Sequence, residues 1–204
     1  MATDDLTLVK RVRSGDQRAF KLLVERYQRK IYSVALGMVR DREEAMDVSQ
    51  EAFVKVYKYL DHFKGDASFY TWLYRITVNI CIDVIRKRGG RSEMLEFDES
   101  IQMDTNEANL GALGTRLGTN PQKSALRKEL AEKIQEALAQ VPEKHRAILL
   151  LREVEGMSYE DLARTLEIPK GTVMSRLFHA RAKVQKILSE YLDLDESKSG
   201  VGSE

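Results

Sequence analysis

Apolar residues recur at intervals of three and four positions along most of this chain. That spacing places them on one face of a helix, whereas the alternation expected of a half-buried strand is nearly absent. The pattern therefore predicts an all-α fold. The predicted helices cover residues 5–13, 17–39, 43–60, 69–87, 121–141, 142–156, 158–167 and 170–187.

The pattern breaks once, between the fourth and fifth predicted helices. Residues 89–121 are rich in glycine and acidic residues and hold little periodic apolar content, which is typical of a flexible linker. The break divides the chain into two small helical domains, residues 1–88 and 122–192. The acidic segment that follows, residues 193–204, is predicted to be a frayed, disordered tail.

The second domain ends in two helices joined by a tight turn. Ser158 and Asp161 form a near capping box, which brings a hydroxyl and a carboxylate to the unpaired N–H groups of the first helix. Pro169 disfavours the helical conformation at Ile168, so this helix is expected to stop before that residue. The arrangement predicts a helix-turn-helix. Its second helix has an apolar stripe of Val173, Leu177, Ala180, Val184 and Ile187.

The other face of that second helix suits a nucleic acid. No acidic residue occurs between Lys170 and Ser189, although acidic and basic residues number 32 and 33 in the whole chain. Positive charge and short hydroxyls suit the phosphate-lined major groove of a DNA duplex. The alternative is the solvated face of an ordinary helical hairpin. The polar face carries Lys170, Thr172, Ser175, Arg176, His179, Lys183 and Lys186.

Aromatic and basic residues crowd together in the first domain, around a loop of small residues at 64–68. An aromatic ring can stack on an unpaired base while cations hold the backbone, so this composition suits a single-stranded nucleic acid. The alternative is a core rich in aromatic side chains, and we expect Phe53 and Trp72 to belong to the core. The candidates for contact with a strand are Phe63, Lys64, Ser68, Phe69, Tyr70, Arg75 and Asn79.

The predicted helix over residues 43–60 has an acidic front half and a basic back half. Acidic residues near a helix N-terminus complement the helix dipole, which accounts for part of this pattern. A face that docks a partner is the other interpretation, and its candidates are Asp47, Gln50 and Glu51. The core stripe of the same helix is expected to hold Ala45, Val48, Ala52, Val56 and Tyr59.

Composition and charge exclude several classes of protein. The 204 residues carry a formal net charge of +1, so any affinity for nucleic acid must come from local patches. Cys81 is the only cysteine, which excludes an internal disulfide and fits a cytoplasmic protein. No signal peptide and no membrane-spanning apolar run is evident. The three histidines are scattered, so we expect no metal, no cofactor and no enzymatic activity.

Four stretches of the chain, in this order, resemble an extracytoplasmic-function sigma factor of bacterial RNA polymerase. The resemblance covers about residues 16–192, with no specific motif in the linker or the tail. The stretches are DREEAMDVSQEAFVKVY at 41–57, FYTWLYRITVN at 69–79, VPEKHR at 141–146 and GTVMSRLFHAR at 171–181.

The resemblance implies a division of labour between the two domains. Residues 1–88 look like sigma region two, which docks on the clamp helices of the largest polymerase subunit and opens the minus-ten promoter element. Residues 122–192 look like region four, which reads the minus-thirty-five element and touches the flap of the second-largest subunit. The implied partners are core RNA polymerase, promoter DNA and an anti-sigma factor. The linker is longer and richer in glycine than the family leads us to expect.

The resemblance also assigns roles to the residues selected above. It implies polymerase docking by Asp47, Gln50 and Glu51, capture of the unpaired minus-ten strand by the loop at 63–70 with Arg75 and Asn79, and duplex reading by the helix-turn-helix. A dimeric helix-turn-helix regulator with a partner-binding N-terminal domain is the alternative function, but it leaves the aromatic and basic loop unexplained. A nucleic-acid-processing enzyme would need a metal or base cluster that the sequence lacks.

Overall fold

The computed structural model describes residues 3–89 and 121–199, with side chains described for 3–89 and 129–191. Within these residues the chain is helical and contains no strand, which confirms the predicted all-α fold. The predicted linker lies almost wholly outside the described residues. The α-helices are α1 (Asp5–Arg13), α2 (Gln17–Val39), α3 (Arg42–Tyr59), α4 (Phe69–Arg88), α5 (Pro121–Ala139), α6 (Glu143–Glu153), α7 (Tyr159–Leu166) and α8 (Lys170–Ser199), and a short 3₁₀ helix, Leu60–His62, follows α3.

Short polar side chains begin the helices of the first domain. Asp16 accepts a hydrogen bond from the Arg18 N–H at 2.9 Å at the start of α2. Ser68 does the same for the Thr71 N–H at 3.2 Å at the start of α4. These bonds satisfy donors that have no partner within the helix. The helix α2 ends at Val39, because Arg40 takes a left-handed backbone conformation with φ of 66°.

Helices α1 to α4 pack around one apolar core, and most of the predicted stripes face it. Tyr59 is an exception, because 44% of its surface is exposed. The chain tightens into the 3₁₀ helix at this point, and Leu60 takes the core position instead. The prediction for Tyr59 is therefore wrong, because the buried stripe continues from Val56 to Leu60, four positions later, and leaves Tyr59 to the side. The buried α3 residues are Ala45, Val48, Ala52, Phe53 and Val56.

Arg13, the last residue of α1, fixes the position of the loop between α3 and α4. Its guanidinium donates to the carbonyl oxygen of Leu60 at 2.7 Å and also to that of Phe63. Planar guanidinium donors bind several carbonyls at once, so one side chain closes the end of the 3₁₀ helix. The loop at 64–68 therefore leaves the domain from a defined point.

The second domain has α6 and α8 at its centre, with α5 and α7 packed on α8. Ser158 accepts from the Asp161 N–H at 3.1 Å and donates to the Asp161 carboxylate at 2.8 Å, as expected of a capping pair. Glu167 ends α7 in a left-handed conformation, with φ of 54°, and Pro169 precedes α8. These residues form the turn of the predicted helix-turn-helix. The core-facing residues Val173, Leu177, Ala180 and Val184 of α8 are buried.

The last helix is longer than the sequence predicts. Its helical backbone continues to Ser199, past Leu192, where we placed the end of the domain and the start of a disordered tail. Neither glycine nor proline occurs between Gly171 and Gly200, so nothing in the local sequence stops the helix earlier.

The two domains pack against each other through α2 and α4 of the first and α6 and α7 of the second. A Cβ atom at Gly37 of α2 would lie 2.8 Å from Leu150 Cδ1, so glycine permits this close approach. Arg146 of α6 is 7% exposed and donates to the Met38 carbonyl at 2.7 Å, which joins it to the C-terminal turn of α2. Burial lowers the pKa of Arg146 to about 10, so it stays charged at neutral pH.

Candidate nucleic-acid interface

The acid-free face of α8 points away from the core of its domain. Lys170, Ser175 and Lys186 are exposed, and Thr172, Arg176, His179 and Lys183 are partly buried. Apolar contacts on the opposite side of α8 hold these side chains along one line. A second helix that presents short polar and basic side chains fits the depth and width of the major groove. The Lys170 ammonium pairs with Glu160 of α7 at the rim of this face.

One histidine at the edge of this face is held neutral. Burial lowers the pKa of His145 on α6 to about 4, and the positive charges of Arg176 and His179 act in the same direction. At neutral pH His145 therefore adds no positive charge to this face. The sequence analysis missed His145, because only the fold brings α6 beside α8.

The loop between α3 and α4 borders a cavity of about 270 Å³. Phe63 and Trp72 contribute aromatic surface to its lining, and Lys64 and Arg75 contribute positive charge. Arg164 also lines the cavity, although it belongs to α7 of the second domain. The arrangement can hold a flat, uncharged group beside cations, which is the chemistry of an unpaired base with its phosphate.

Two aromatic residues expected to contact a strand are core residues in this structure. Phe63 is 5% exposed and Phe69 is 1% exposed. Their ring centroids lie 6.0 Å apart, and Phe63 lies 5.2 Å from Trp72. The rings bury one another because α4 turns back towards α2 straight after the loop. Phe69 therefore cannot offer a face to a base here, and Phe63 offers only the edge of the cavity.

Some of the remaining candidates are exposed to solvent, and others already have a partner within the protein. Lys64 and Asn79 are exposed, and Ser68 is exposed but already serves as the N-cap of α4. Arg75 is paired with Glu167 of the second domain at 2.5 Å. Burial, together with the nearby carboxylate of Asp161, raises the pKa of Tyr70. The structure thus brings Lys64 and Arg75 to the same cavity, but the second domain holds Arg75 through its pair with Glu167.

The predicted docking face on α3 is open to solvent. Asp47, Gln50 and Glu51 are all exposed, and Glu51 pairs with Lys55 of the next turn at 2.8 Å. Exposed apolar side chains accompany them, which is a combination expected of a protein-binding surface. They are Met46 at 56%, Val54 at 64% and Tyr57 at 53% exposed. All three fall outside the core stripe of α3, but the sequence analysis did not select them as candidates for docking.

Comparison with known proteins identifies the family. Residues 23–91 match the model of Sigma-70 region 2, and residues 131–184 match that of Sigma-70, region 4. The ECF RNA polymerase sigma-E factor of Escherichia coli K12 is 42% identical over 180 residues, which cover 88% of this chain and 92% of that protein. The chain belongs to the extracytoplasmic-function sigma factors. The RNA polymerase sigma-H factor of Pseudomonas aeruginosa is also 42% identical to this sigma factor, over 92% of its chain and 95% of the relative.

Solved structures agree with this assignment. The structure of CnrH in complex with the cytosolic domain of CnrY matches this sigma factor with a TM-score of 0.66 and 26% identity, over 92% of this chain and 97% of the other. The sigma factor RpoE of Bartonella quintana, solved with the anti-sigma factor NepR, shares the fold with a TM-score of 0.59 and 21% identity, over 83% and 96% of the two chains.

A sigma factor is a transcription initiation factor rather than an enzyme. In the described parts of the chain, no group of three or more histidine, cysteine or carboxylate side chains is placed to hold a metal ion. None of the helices in the same residues is both long and apolar enough to cross a membrane.

Proposed function

We propose that this sigma factor uses three separate surfaces to start transcription. The face of α3 around Asp47 docks on core RNA polymerase, the cavity region of the first domain captures the unpaired minus-ten strand, and α8 reads the minus-thirty-five duplex. Two small domains that each bind DNA weakly gain affinity from one another when a single polymerase holds both. Its work would take place where the polymerase is, in the cytoplasm.

The observation that carries this proposal is the presence of two different DNA-binding chemistries in one chain. The α8 face carries no carboxylate from Lys170 to Ser189 and presents forked and hydroxyl donors, which suits base edges in a duplex. The cavity beside Lys64 instead combines aromatic surface with cations, which suits bases released from stacking. A regulator that binds only duplex DNA has no use for the second surface.

Strand capture rests on exposed polar side chains more than on the buried rings. Lys64 and Arg75 can hold phosphates, and the Asn79 amide can both donate to and accept from a base edge. Phe63 and Trp72 supply the aromatic surface of the cavity. The surface that a base would meet is thus smaller than the sequence alone led us to expect.

Docking on the polymerase would combine charge with apolar contact. The carboxylates of Asp47 and Glu51 attract a basic partner, and Met46 and Val54 can bury apolar surface against it. The family resemblance points to the clamp helices of the largest subunit as that partner, and to the flap of the second-largest subunit for the second domain. CnrH was solved with the cytosolic domain of CnrY, and RpoE with the anti-sigma factor NepR, and the family resemblance points to an anti-sigma factor for this chain as well.

The test is a variant with Lys64→Ala, Arg75→Ala and Asn79→Ala, which leaves the buried rings in place. It should co-elute with core polymerase as the unchanged protein does, but it should open little duplex promoter. Permanganate reactivity of thymines in the complex measures the opening. On a template that is already mismatched at the minus-ten element, this variant should regain transcription only to the extent that melting, rather than strand capture, is the step it has lost.

A matched control removes two cations and an amide elsewhere, as Lys10→Ala, Lys133→Ala and Gln140→Ala. It should open the promoter normally. Normal opening by the first variant would show that the cavity region does not capture the strand.

A further inference from the structure

Arg13, at the end of α1, binds the backbone of the chain just before the loop at 64–68. Its Nη2 donates to the carbonyl oxygens of Leu60 at 2.7 Å and Asp61 at 3.3 Å, and also to that of Phe63. Its Nε also donates to the Leu60 carbonyl oxygen, at 3.3 Å. Carbonyls at the end of a helix lack partners within the helix, so a cation with several donors suits them. One side chain therefore fixes the backbone from Leu60 to Phe63.

The bond to Phe63 connects Arg13 to the cavity of the first domain. The ring centroids of Phe63 and Trp72 lie 5.2 Å apart, and both residues line this cavity of about 270 Å³. The next residue, Lys64, lines it too. Pockets for drug-sized ligands hold roughly 300–1,000 Å³, so this cavity has room for about one base. A shift of the Phe63 backbone would move one wall of the cavity and the cation beside it.

The loop is fixed at its other end by the cap of α4. The Ser68 hydroxyl accepts a hydrogen bond from a backbone N–H at 3.2 Å. Residues 64–67 lie between this cap and the Phe63 carbonyl that Arg13 holds. Gly65 makes the turn with φ of 82°, a conformation that suits glycine. A segment this short with both ends fixed has few conformations, so it loses little entropy when it binds a ligand.

Arg13 precedes the residues that match the model of region 2, which begin at residue 23. We propose that Arg13 is a positioning residue for strand capture, which holds the loop at 64–68 so that the cavity accepts one unpaired base in a fixed orientation. The inference rests on the proposed strand-binding function of the first domain. In this role Arg13 contacts the backbone before the loop and not the DNA, and it acts through Phe63 and Lys64.

A purely structural role for Arg13 predicts a different behaviour. The bonds to the carbonyls also stabilise the end of α3, so their removal should cost stability whatever the loop does. A loss of stability alone lowers the fraction of folded protein, which weakens the binding of every strand alike. A displaced cavity wall instead removes the preference for a base at one position and spares the neighbouring positions. Selectivity at each position therefore separates the two roles.

Three variants of the full-length protein provide the comparison. Arg13→Gln removes the charge and shortens the reach towards the carbonyls. Arg13→Lys keeps the charge but donates from a single atom rather than from a planar fork, so it should restore part of the contact. Arg11→Gln is the matched control, because it makes the same change of charge on α1 at a residue that pairs with Asp16, 2.7 Å away.

Two measurements use these proteins. Acrylamide quenching of Trp72, the only tryptophan of the chain, reports access to the cavity in the free protein. Holoenzymes assembled with core polymerase select from a pool of short random-sequence single strands, and sequencing gives the enrichment of each base at each position. Core polymerase alone gives the background. Urea denaturation of the free proteins establishes which variants are folded at the temperature of the selection.

Arg13→Gln should reduce the enrichment of the preferred base at one position on the order of tenfold, and it should increase the quenching of Trp72. Arg13→Lys should give intermediate values, and Arg11→Gln should match the unchanged protein in both measurements. Unchanged selectivity in Arg13→Gln, or a loss that is equal at every position, would overturn the inference and leave strand binding intact.

Two further outcomes have a defined meaning. If Arg13→Gln does not fold, Arg13→Lys becomes the test: a loss at one position supports the inference, and selectivity equal to that of the unchanged protein overturns it. If the unchanged holoenzyme enriches no sequence above core polymerase alone, the proposed strand-binding function fails and the inference fails with it. The quenching of Trp72 would then still report whether Arg13 holds the loop.

Discussion

Arg176 and His145 show how neighbouring side chains set the charge of the face of α8 that we propose reads the duplex. The positive charge of Arg176 helps to keep His145 neutral. The two residues lie on different helices, so the packing of α6 on α8 decides how positive this face is. We therefore expect a change at Arg176 to act mainly on DNA binding, and a change at His145 to act on how stability depends on pH.

Arg176→Ala should weaken binding to the promoter by roughly 1–3 kcal/mol, because a guanidinium can donate two hydrogen bonds to one guanine. Titration of duplexes with the intact and the altered upstream element, by anisotropy, measures the loss. It should be largest on the intact element. Lys186→Ala should weaken all duplexes alike, because we expect this exposed ammonium to bind phosphate as a point charge. An equally uniform loss for Arg176→Ala would argue against base readout.

His145 should make the protein less stable in mild acid. The pKa of His145 is about 4 in the folded protein, against an ordinary value of 6.5 for an unfolded chain. Between these two values the unfolded chain binds a proton at His145 and the folded chain does not, which favours unfolding. The free energy of unfolding should fall as the pH drops from 6.5 towards 4 and be insensitive to this group above 6.5. Urea denaturation of the unchanged protein and of His145→Gln across that range measures the effect.

The control is His62→Gln, since His62 is exposed. Its acid profile should match that of the unchanged protein, whereas the profile of His145→Gln should be flatter. Identical profiles for all three proteins would show that His145 is not the group responsible.

The helices could be predicted from the sequence because their signals are local. Ser158 and Pro169 mark the start of α7 and the turn after it through bonds and sterics within a few residues. Burial was harder to predict, because it depends on elements distant in the chain. Phe69 is buried by rings of α2 and α4, and Tyr74 is buried by the second domain. The spacing of apolar residues along α4 predicts the face that packs within the first domain, but it could not indicate that the second domain packs on another face.

The Ser68 hydroxyl has two interpretations: a structural one, as the N-cap of α4, and a functional one, as a contact to the DNA strand. Its hydroxyl caps α4, so Ser68→Ala should lower the free energy of unfolding by about 1 kcal/mol. Ser68→Asp keeps an acceptor at the cap and should keep the stability. Chemical denaturation measures both. If Ser68→Ala weakens strand binding without loss of stability, the hydroxyl contacts DNA rather than the helix.

In the whole molecule, the proposed polymerase-docking face lies on α3, whereas the proposed DNA contacts lie on α4 and α8. Asp47→Lys should prevent assembly with core polymerase without unfolding the protein, because Asp47 is exposed and a reversed charge repels a basic partner. Gel filtration with core polymerase measures assembly. Glu25→Lys makes the same change of charge on α2 and should assemble normally. Co-elution of the Asp47→Lys protein at the unchanged level would remove Asp47 from the docking face.

The most direct measurement for the account as a whole is transcription by purified core polymerase on fragmented host genomic DNA, with and without this protein. The 5′ ends of the transcripts, mapped by sequencing, locate every start site. Two domains that read two elements on one polymerase predict new start sites, each preceded by two shared sequence blocks at a nearly constant separation. A set of start sites unchanged by the protein, or new ones with no shared blocks upstream, would contradict the account.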